Sequence, residues 1–451
     1  MTSDIRIINA KIATESGLIR GGVNISNGLI TKISSNTRLD KADYSINAHG
    51  KILIPGVIDV HVHLRDLTQT HKETFKTGTS AAAAGGVTSV IDMPNNIPPA
   101  NNLNTLNEKI QACSRQAIVN VGFYSGLPED INEITKIAKI GVFGFKIYLN
   151  NPPPHINVLD KRILRDIAVN VASNNSRLLF HAEILDSPNI NLNSPKNTAE
   201  SEINDFLEIH NPSAEIKAIH YILDSLRNVN VKIHFCHITL ADSIKIIKRE
   251  SNNNLTSIEV TPHHLLLDFE SIYKLGGVAK TVPPLRNNIQ VKSLWETAIE
   301  LEQADVIASD HAPHAPVEKT GCFSKIPPGI PGLETTLTLM FTKVLEGRLQ
   351  LYKLLKLLCY NPAEIAGLER RGRILEGYYA DLVLLDCGKE YKINPECFVS
   401  QAKYSPFEGF SVKCKVDKTI VNGKIVYESD IGVFDEGSAV ILKPIINEMV
   451  T

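Results

Sequence analysis

Two histidines, His61 and His63, lie two positions apart in the apolar segment IPGVIDVHVHLRD, residues 54–66. Side chains at positions i and i+2 of a β-strand point to the same side. Both imidazoles can therefore bind one metal ion near the end of such a strand. A lone pair of this kind is a weak signal, because it also arises by chance. The metal interpretation depends on finding further ligands downstream.

The elements that must position these histidines form a regular alternation. Short apolar segments predict strands at residues 57–63, 87–93, 117–124, 142–149, 177–183, 231–237, 256–261 and 305–310. Longer helical segments separate them, such as residues 75–86, 160–174 and 212–228. Alternating strands and helices favour a parallel sheet, and eight such units predict an α/β fold of the (β/α)8 TIM-like barrel class. The alternative is a doubly wound open sheet. No GxGxxG motif follows a strand, which disfavours its dinucleotide-binding version.

The two ends of the chain have a different pattern of short strands and turns. Asn27-Gly28 and Asn422-Gly423 each stand between alternating apolar residues, as in a β-hairpin. We predict that residues 1–53 and 366–451 form one small β-sandwich domain. Residues 54–365 would form the barrel domain.

Composition limits the classes of partner. The 451 residues are 43% hydrophobic, with a formal net charge of -2. The sequence has no basic stripe, so we expect neither nucleic acid nor a membrane surface as a partner. No apolar run approaches the ~20 residues of a membrane span, and no secretory signal is evident. Seven cysteines without a CxxC pair favour a cytoplasmic location.

Further metal-capable side chains stand where function collects in a barrel, at the C-terminal ends of the strands. With the first pair, the set is His61, His63, Lys146, His181, His237 and Asp310. Four histidines and a carboxylate exceed what one tetrahedral zinc ion with an open position requires. They suit two metal ions ~3.5–4 Å apart with a hydroxide between them.

Lys146 is the unusual member of this set, because an ammonium group would be repelled by two cations. Burial disfavours the charged form of a lysine, and a neutral amine can add carbon dioxide to become an anionic carbamate. Such a carbamate can bridge two metals. The alternative is an ordinary barrel lysine whose amine extends to solvent.

These residues, with several motifs in order, resemble a known family. The motifs are HVHLRD (61–66), MPNN (93–96), GFKIYLN (144–150), HAE (181–183), CH (236–237), TPHHLLL (261–267), SDHAPH (309–314) and PGLETTL (331–337). Over essentially its whole length the chain is similar to the dihydroorotases among the cyclic amidohydrolases. The resemblance extends to the dihydroorotase domain of the animal multifunctional pyrimidine-synthesis protein and its bacterial relatives.

The resemblance implies a role for each metal-site residue. His61 and His63 would bind the first of two zinc ions together with Asp310. His181 and His237 would bind the second zinc ion. Carboxylated Lys146 would bridge the two ions.

The resemblance also implies which residues bind the substrate. Arg65, Asn95 and His314 would hold its carboxylate, and a planar guanidinium suits that task. The backbone of Pro328 and Gly329 would touch it too.

The implied reaction is the reversible cyclisation of N-carbamoyl-L-aspartate to L-dihydroorotate in pyrimidine biosynthesis. A metal-bridged hydroxide would attack, and Asp310 would be the catalytic proton shuttle. One alternative is a hydrolase of another cyclic amide, such as allantoin or a hydantoin. Another is an inactive scaffold for aspartate transcarbamoylase. The expected partner is the small-molecule substrate, and a homodimer and an association with aspartate transcarbamoylase stay open.

The chain departs from the family pattern in two places. Residues 150–157, NNPPPHIN, contain three prolines that stiffen a loop which closes over substrate in relatives. Val282 stands where relatives often have Asn or Arg. Cys236 and Glu259 also leave open a third zinc site with the histidine of the fifth strand, His181. The alternative is a buried thiol and an acid that supports a ligand.

The remaining histidines are assigned no ligand role. His263, His264 and His311 are expected to support the ligands or to pack. Structural positions are expected for His49, His71, His155, His210, His220 and His234.

Overall fold

The computed structural model describes residues 3–186, 198–252, 254–435 and 439–445. Within these ranges the strands are β1 (Ser3–Thr14), β2 (Gly17–Ser26), β3 (Leu29–Ser34), β4 (Ala42–Asn47), β5 (Ile52–Pro55), β6 (Val57–Val62), β7 (Val87–Asp92), β8 (Asn120–Phe123), β9 (Phe145–Tyr148), β10 (Arg177–His181), β11 (Lys232–Phe235), β12 (Thr256–Val260), β13 (Val306–Ile307), β14 (Leu382–Asp386), β15 (Tyr391–Lys392), β16 (Ser411–Val412), β17 (Lys415–Val421), β18 (Lys424–Glu428) and β19 (Gly432–Val433). The α-helices are α1 (Phe75–Ala84), α2 (Leu103–Ser114), α3 (Ile134–Ile140), α4 (Lys161–Ser173), α5 (Ala199–Ile209), α6 (Pro212–Ser225), α7 (Ala241–Glu250), α8 (Pro262–Leu266), α9 (Glu270–Leu275), α10 (Asn288–Trp295), α11 (Thr336–Leu345), α12 (Leu351–Leu355) and α13 (Asn361–Ala366).

Strands β6 to β13 form the predicted parallel barrel. β6, β7 and β8 pair in that order, and β9 to β13 pair as a second run. A parallel bridge between Ser125 and Phe145 joins the two runs. A second bridge, between Val62 and His311, connects the last strand to the first and closes the ring. The barrel fold and its eight predicted strands are therefore confirmed.

Both ends of the chain contribute to one outer sheet. Its strand order is β19-β18-β17-β14-β5-β1-β2-β3, with β4 paired to β1. Asn27-Gly28 joins β2 to β3, and Asn422-Gly423 joins β17 to β18, with positive φ at all four residues. This conformation is the one that two-residue hairpins require. The β-domain built from both termini is confirmed, whereas its boundaries at residues 53 and 366 stay a prediction.

The outer sheet has a core of its own and a very short connection to the barrel. Apolar side chains of β1, β2, β5, β14 and β17 form one buried cluster. Only Gly56 separates β5 from β6, and its amide donates to Asp381 O at 2.8 Å. A Cβ at Gly56 would lie 2.1 Å from Thr88 Oγ1, so no larger residue fits between sheet and barrel.

The segment between β14 and β17 leaves the outer sheet and packs on the barrel. Its side chains Ile393, Phe398 and Phe407 share a buried cluster with Leu285 and Phe323. The segment thus covers part of the barrel beside the loops that follow β13. No helix in the described ranges is long and apolar enough to cross a membrane.

Candidate active site

The structure brings the predicted site residues together at the C-terminal ends of the barrel strands. A cavity of about 390 Å³ opens there. Its wall includes His61, His63, Arg65, Asn95, His181, His237, Asp310, Pro328 and Gly329. Lys146 Nζ lies 5.1 Å from the ring centroid of Tyr148, which lines the cavity, and His314 contacts both Arg65 and Pro328. A cavity of this size suits a small ligand.

His61 of β6 and His63, the residue directly after β6, converge on Asp310. Its Oδ1 atom lies 3.2 Å from His61 Nε2 and 3.1 Å from His63 Nε2. The opposite ring atoms face acceptors, since His61 Nδ1 is 2.8 Å from Glu259 Oε1 and His63 Nδ1 is 2.7 Å from Asn95 Oδ1. Each Nδ1 therefore carries the ring proton, as in second-sphere contacts of metal-binding histidines. The two Nε2 atoms then face one carboxylate oxygen, an arrangement that either a proton on a ring or a metal cation among the three atoms satisfies.

A second histidine pair lies beside the first. His181 Nδ1 is 3.1 Å from His237 Nε2. His181 Nε2 is 2.9 Å from Glu183 Oε2, so this carboxylate accepts the ring proton and leaves Nδ1 bare. Glu183 is also 3.0 Å from His210 Nδ1. The two pairs are adjacent, because the His61 and His237 ring centroids are 5.3 Å apart.

Lys146 has the surroundings that a carbamate would explain. Its side chain is buried, and its Nζ has no hydrogen-bond partner in the part of the chain that the structure describes. Nζ lies 5.1 Å from the ring centroid of Tyr148. Buried Lys109, by contrast, has its Nζ 2.8 Å from a carboxylate oxygen of Asp92. An orphaned buried amine is costly, and a carboxylated one between two metal ions would be satisfied.

The electrostatics of the site favour a positive charge between its carboxylates. Burial lowers the pKa of His61, but Glu259 and Asp310 together raise it to about 10. Burial raises the pKa of Asp310, yet His61 and His63 hold it well below its usual range. Asp310 is thus a carboxylate at neutral pH. The donor set fits metal ions, because it combines bare imidazole nitrogens with an ionised carboxylate.

The cation at the other side of the cavity is Arg65. Its Nε donates to Pro313 O at 3.2 Å, and its Nη2 lies 3.4 Å from His314 Nε2. The side chain is buried, and no carboxylate of the described residues lies within 4.0 Å of it. A buried guanidinium without an anion is ready to pair with a ligand carboxylate.

His314 is held in one tautomer. Lys72 Nζ donates to His314 Nδ1 at 3.0 Å, so Nε2 carries the proton and donates to Pro328 O at 3.0 Å. Burial, with Arg65 and Lys72 nearby, lowers the pKa of His314 to about 2. The ring is neutral, with two cations, Arg65 and Lys72, and one carboxylate, Glu318, close to it.

Several site residues adopt a backbone conformation that non-glycine residues rarely take. Arg65, His237 and Asp310 have φ of 56, 35 and 46. Positive φ at such residues costs about 1–3 kcal/mol each and clusters at functional sites. The barrel scaffold therefore holds these side chains in place against local strain.

The structure corrects one grouping for a third metal site. Cys236 and Glu259 form a compact buried group with His61 of β6, whereas the expectation had placed them with His181. His181 instead contacts Glu183. Glu259 also lies 3.1 Å from His234 Nε2, so it supports two histidines at once.

Several cavity residues had not been expected. These are Tyr148 and His210, which line the wall together with Asn150 and Val282, the two residues at the places where the chain departs from the family pattern. The HAE motif places Glu183 two residues after a ligand histidine, which was a usable signal. His210 lies 27 positions from Glu183 in the sequence, and no local pattern connects them.

Comparison with known proteins agrees with this geometry. Residues 52–426 match the amidohydrolase family. The chain is 31% identical to a dihydroorotase of Methanosarcina acetivorans over 95% of its length and 92% of that protein. It is 34% identical to a dihydroorotase of Pyrococcus abyssi, covering 94% and 95% of the two chains. For a dihydroorotase of Ehrlichia canis the identity is 35%, with 85% of each chain covered.

Solved structures give the same fold. An L-hydantoinase (dihydropyrimidinase) of Arthrobacter aurescens superposes with a TM-score of 0.88 at 26% identity, covering 98% of this chain and 100% of that one. The hydantoinase is a related cyclic-amide enzyme, whereas the relatives that share 31–35% identity are dihydroorotases. The chain therefore belongs to the metal-dependent amidohydrolase family and, within it, to the dihydroorotases.

Proposed function

We propose that this chain catalyses the reversible cyclisation of N-carbamoyl-L-aspartate to L-dihydroorotate. The observation that carries the proposal is the position of Arg65. Its buried guanidinium has no carboxylate partner among the described residues and lines the same cavity as the histidine cluster. Both proposed ligands bear a carboxylate that takes no part in the bond made or broken, whereas the hydantoin ring and allantoin carry none.

We further propose that two zinc ions are the cofactors. His61, His63 and Asp310 would hold one ion, and His181 and His237 the other. Lys146 would bridge them as a carbamate, which is supported by its orphaned Nζ. When bound, such ions polarise the scissile carbonyl and make a hydroxide nucleophile available near neutral pH.

Asp310 is the proposed proton carrier. Its carboxylate is ionised at neutral pH and so carries no proton of its own, and Oδ1 lies 3.2 and 3.1 Å from Nε2 of His61 and His63. In ring opening it would take the proton of the attacking water and deliver it to the leaving ring nitrogen. In ring closure the same oxygen would take the proton from the carbamoyl nitrogen and pass it to the carboxyl oxygen of the substrate that leaves as water.

Arg65, Asn95 and His314 would orient the substrate. Arg65 would bind the carboxylate through its planar fork. Asn95 Oδ1 already accepts from His63 Nδ1 at 2.7 Å, so its amide group is left to donate to the ligand. Gly329 and Pro328 would contact the ligand through the backbone.

The test is an assay of both directions with dihydroorotate and carbamoyl-aspartate, beside allantoin and hydantoin, together with metal counting. We expect turnover of the first two compounds and two zinc ions per chain. Faster turnover of hydantoin or allantoin would assign the chain to another cyclic-amide hydrolase. Protein without bound metal and without turnover would favour the scaffold role.

The proposal includes a cytoplasmic location, supported by seven cysteines that are all free. We also propose that the chain forms a homodimer and that it associates with aspartate transcarbamoylase. Size-exclusion chromatography of the chain alone and mixed with aspartate transcarbamoylase tests both. Elution as a monomer in each case would reject them.

A further inference from the structure

Tyr404 connects the C-terminal segment of the chain to the side of the cavity that carries Arg65. It belongs to the stretch between β14 and β17, and its side chain is buried. Phe398 and Phe407 on either side of it are anchored in the cluster that includes Phe323. Apolar packing therefore holds the residues around Tyr404 in place independently of its hydroxyl.

The Tyr404 hydroxyl joins two loops that both follow β13. It accepts a hydrogen bond from His314 N at 3.2 Å and lies 3.3 Å from Gly329 O, to which it donates. These are the backbones of two residues that the proposed function places against the substrate. The one hydroxyl therefore bonds to backbone atoms of both the 313–314 and the 327–329 loops.

Lys319 acts on the same loop from the other side. Its Nζ donates to Pro327 O at 2.8 Å and to Gly329 O at 2.9 Å, and it lies 5.5 Å from the Tyr404 ring centroid. The Lys319 amine and the phenol ring therefore lie against each other. Gly329 O receives donors from both side chains.

The packing at Gly329 leaves the two loops no alternative spacing. Its φ is +150, and a Cβ there would lie 2.2 Å from Ala312 O and 3.0 Å from His314 Cδ2. The loops are already in backbone contact. A shift of one loop must therefore move the other, and with it the Pro328 carbonyl that holds the His314 ring.

We propose that Tyr404 is a positioning residue for the carboxylate-binding side of the cavity. This inference rests on the proposed function. Tyr404 does not touch the histidine cluster, so it would act on substrate binding through His314 and Gly329. It would leave the proton transfer at Asp310 unchanged.

The experiment compares Tyr404→Phe with the wild type and with Tyr391→Phe. Tyr391 is in the same segment and packs against the same apolar cluster, but it is outside the cavity. KM and kcat are measured with dihydroorotate, inhibition is measured with orotate, and thermal midpoints are recorded. All assays are run well below the lowest midpoint, so that every variant is folded.

Tyr404→Phe removes both hydrogen bonds of the hydroxyl. We expect KM and the orotate inhibition constant of this variant to rise roughly three- to tenfold, which is the effect of about one typical hydrogen bond on binding. Its kcat should stay within about threefold of the wild type. Tyr391→Phe should leave KM unchanged. Two results would overturn this inference alone, provided that the wild type is active. They are an unchanged KM in Tyr404→Phe, or an equal loss of kcat in Tyr404→Phe and Tyr391→Phe. A wild type inactive on dihydroorotate would overturn the proposed function and this inference together.

Discussion

His63 Nε2 lies 3.1 Å from Asp310 Oδ1, although 247 positions separate the two residues. The contact exists because the barrel closes between β6 and the segment after β13, through the Val62–His311 bridge. Closure of the barrel thus places the Asp310 carboxylate opposite His61 and His63. The first prediction concerns this carboxylate.

Replacing Asp310 with Asn should remove most turnover and retain most of the metal. The amide keeps an oxygen toward His61 and His63 but cannot accept and release a proton. General acid–base groups contribute about 10²–10⁴-fold, so we expect at least a hundredfold loss of kcat in both directions. Elemental analysis and steady-state assays measure the two effects. Asp242→Asn, on the exposed start of α7, is the control, and near-normal kcat in Asp310→Asn would remove the proton role.

Replacing Lys146 with Ala should abolish activity through loss of the bridging anion. Acetate or propionate should restore part of it, because a free carboxylate can occupy the space left by the buried side chain. Propylamine should not restore it. The measurement is kcat/KM against added acid, with metal content recorded in parallel. Two bound metals and full activity without rescue would argue against the carbamate.

Replacing Arg65 with Lys should weaken substrate binding more than turnover. Lysine keeps the charge and loses the planar fork that pairs with a carboxylate. We expect KM for dihydroorotate to rise by at least about tenfold, since charge-assisted hydrogen bonds contribute about 1.5–3 kcal/mol. Lys72→Arg, a charge-conserving change next to His314, is the comparison. An unchanged KM in Arg65→Lys would place the carboxylate elsewhere.

Lys319 should make stability depend on pH. Burial, with Lys280 and Arg65 nearby, lowers its pKa from 10.5 to about 7. Between these values the unfolded chain holds a proton that the folded chain has lost, so folding is favoured more as the pH rises. The thermal midpoint of the wild type minus that of Lys319→Met should increase from about pH 7 to about pH 9.

The control for this pH dependence is Lys343→Met, which breaks an ion pair with Glu346 on the surface. Its midpoint difference from the wild type should be constant over the same range. A constant difference for Lys319→Met as well would mean that Lys319 keeps its proton in the folded protein.

Lys109 should matter for stability. It is buried, and its Nζ is 2.8 Å from Asp92 Oδ2 and 2.7 Å from Met93 O. Lys109→Met leaves the Asp92 carboxylate buried without its cation, which costs about 3–5 kcal/mol. Denaturant unfolding measures this cost. Lys161→Met, which breaks an exposed pair with Asp224, should change the unfolding free energy little; equal effects would show that the Asp92 charge is otherwise compensated.

The barrel and the convergence of the candidate ligand residues were predictable from the sequence because most of the signals are local. A strand of six residues shows its apolar run directly, and HxH on such a strand fixes two side chains on one face. The hairpin turns at Asn27-Gly28 and Asn422-Gly423 are also local. The position of Asp310 followed from the rule that parallel barrel strands end at one rim.

The remaining site residues depend on contacts between distant segments. Tyr404 lies between two strands of the outer sheet in the sequence, but its segment packs on the barrel. His210 reaches Glu183 from the end of α5. The grouping of Cys236 with His61 rather than His181 depends on ring orientations. Spacing along the chain carries no information on any of these.

The single residue Gly56 between β5 and β6 has a mechanical consequence. Strand β5 of the outer sheet ends at Pro55, and His61 lies five positions beyond Gly56 on a fully buried strand. Because one residue joins the two strands, we expect a tilt of the outer sheet to displace β6 and with it His61. A bulky protein fused to the edge of the sheet near β3 or β19 should then lower the activity, although it lies far from the candidate active site.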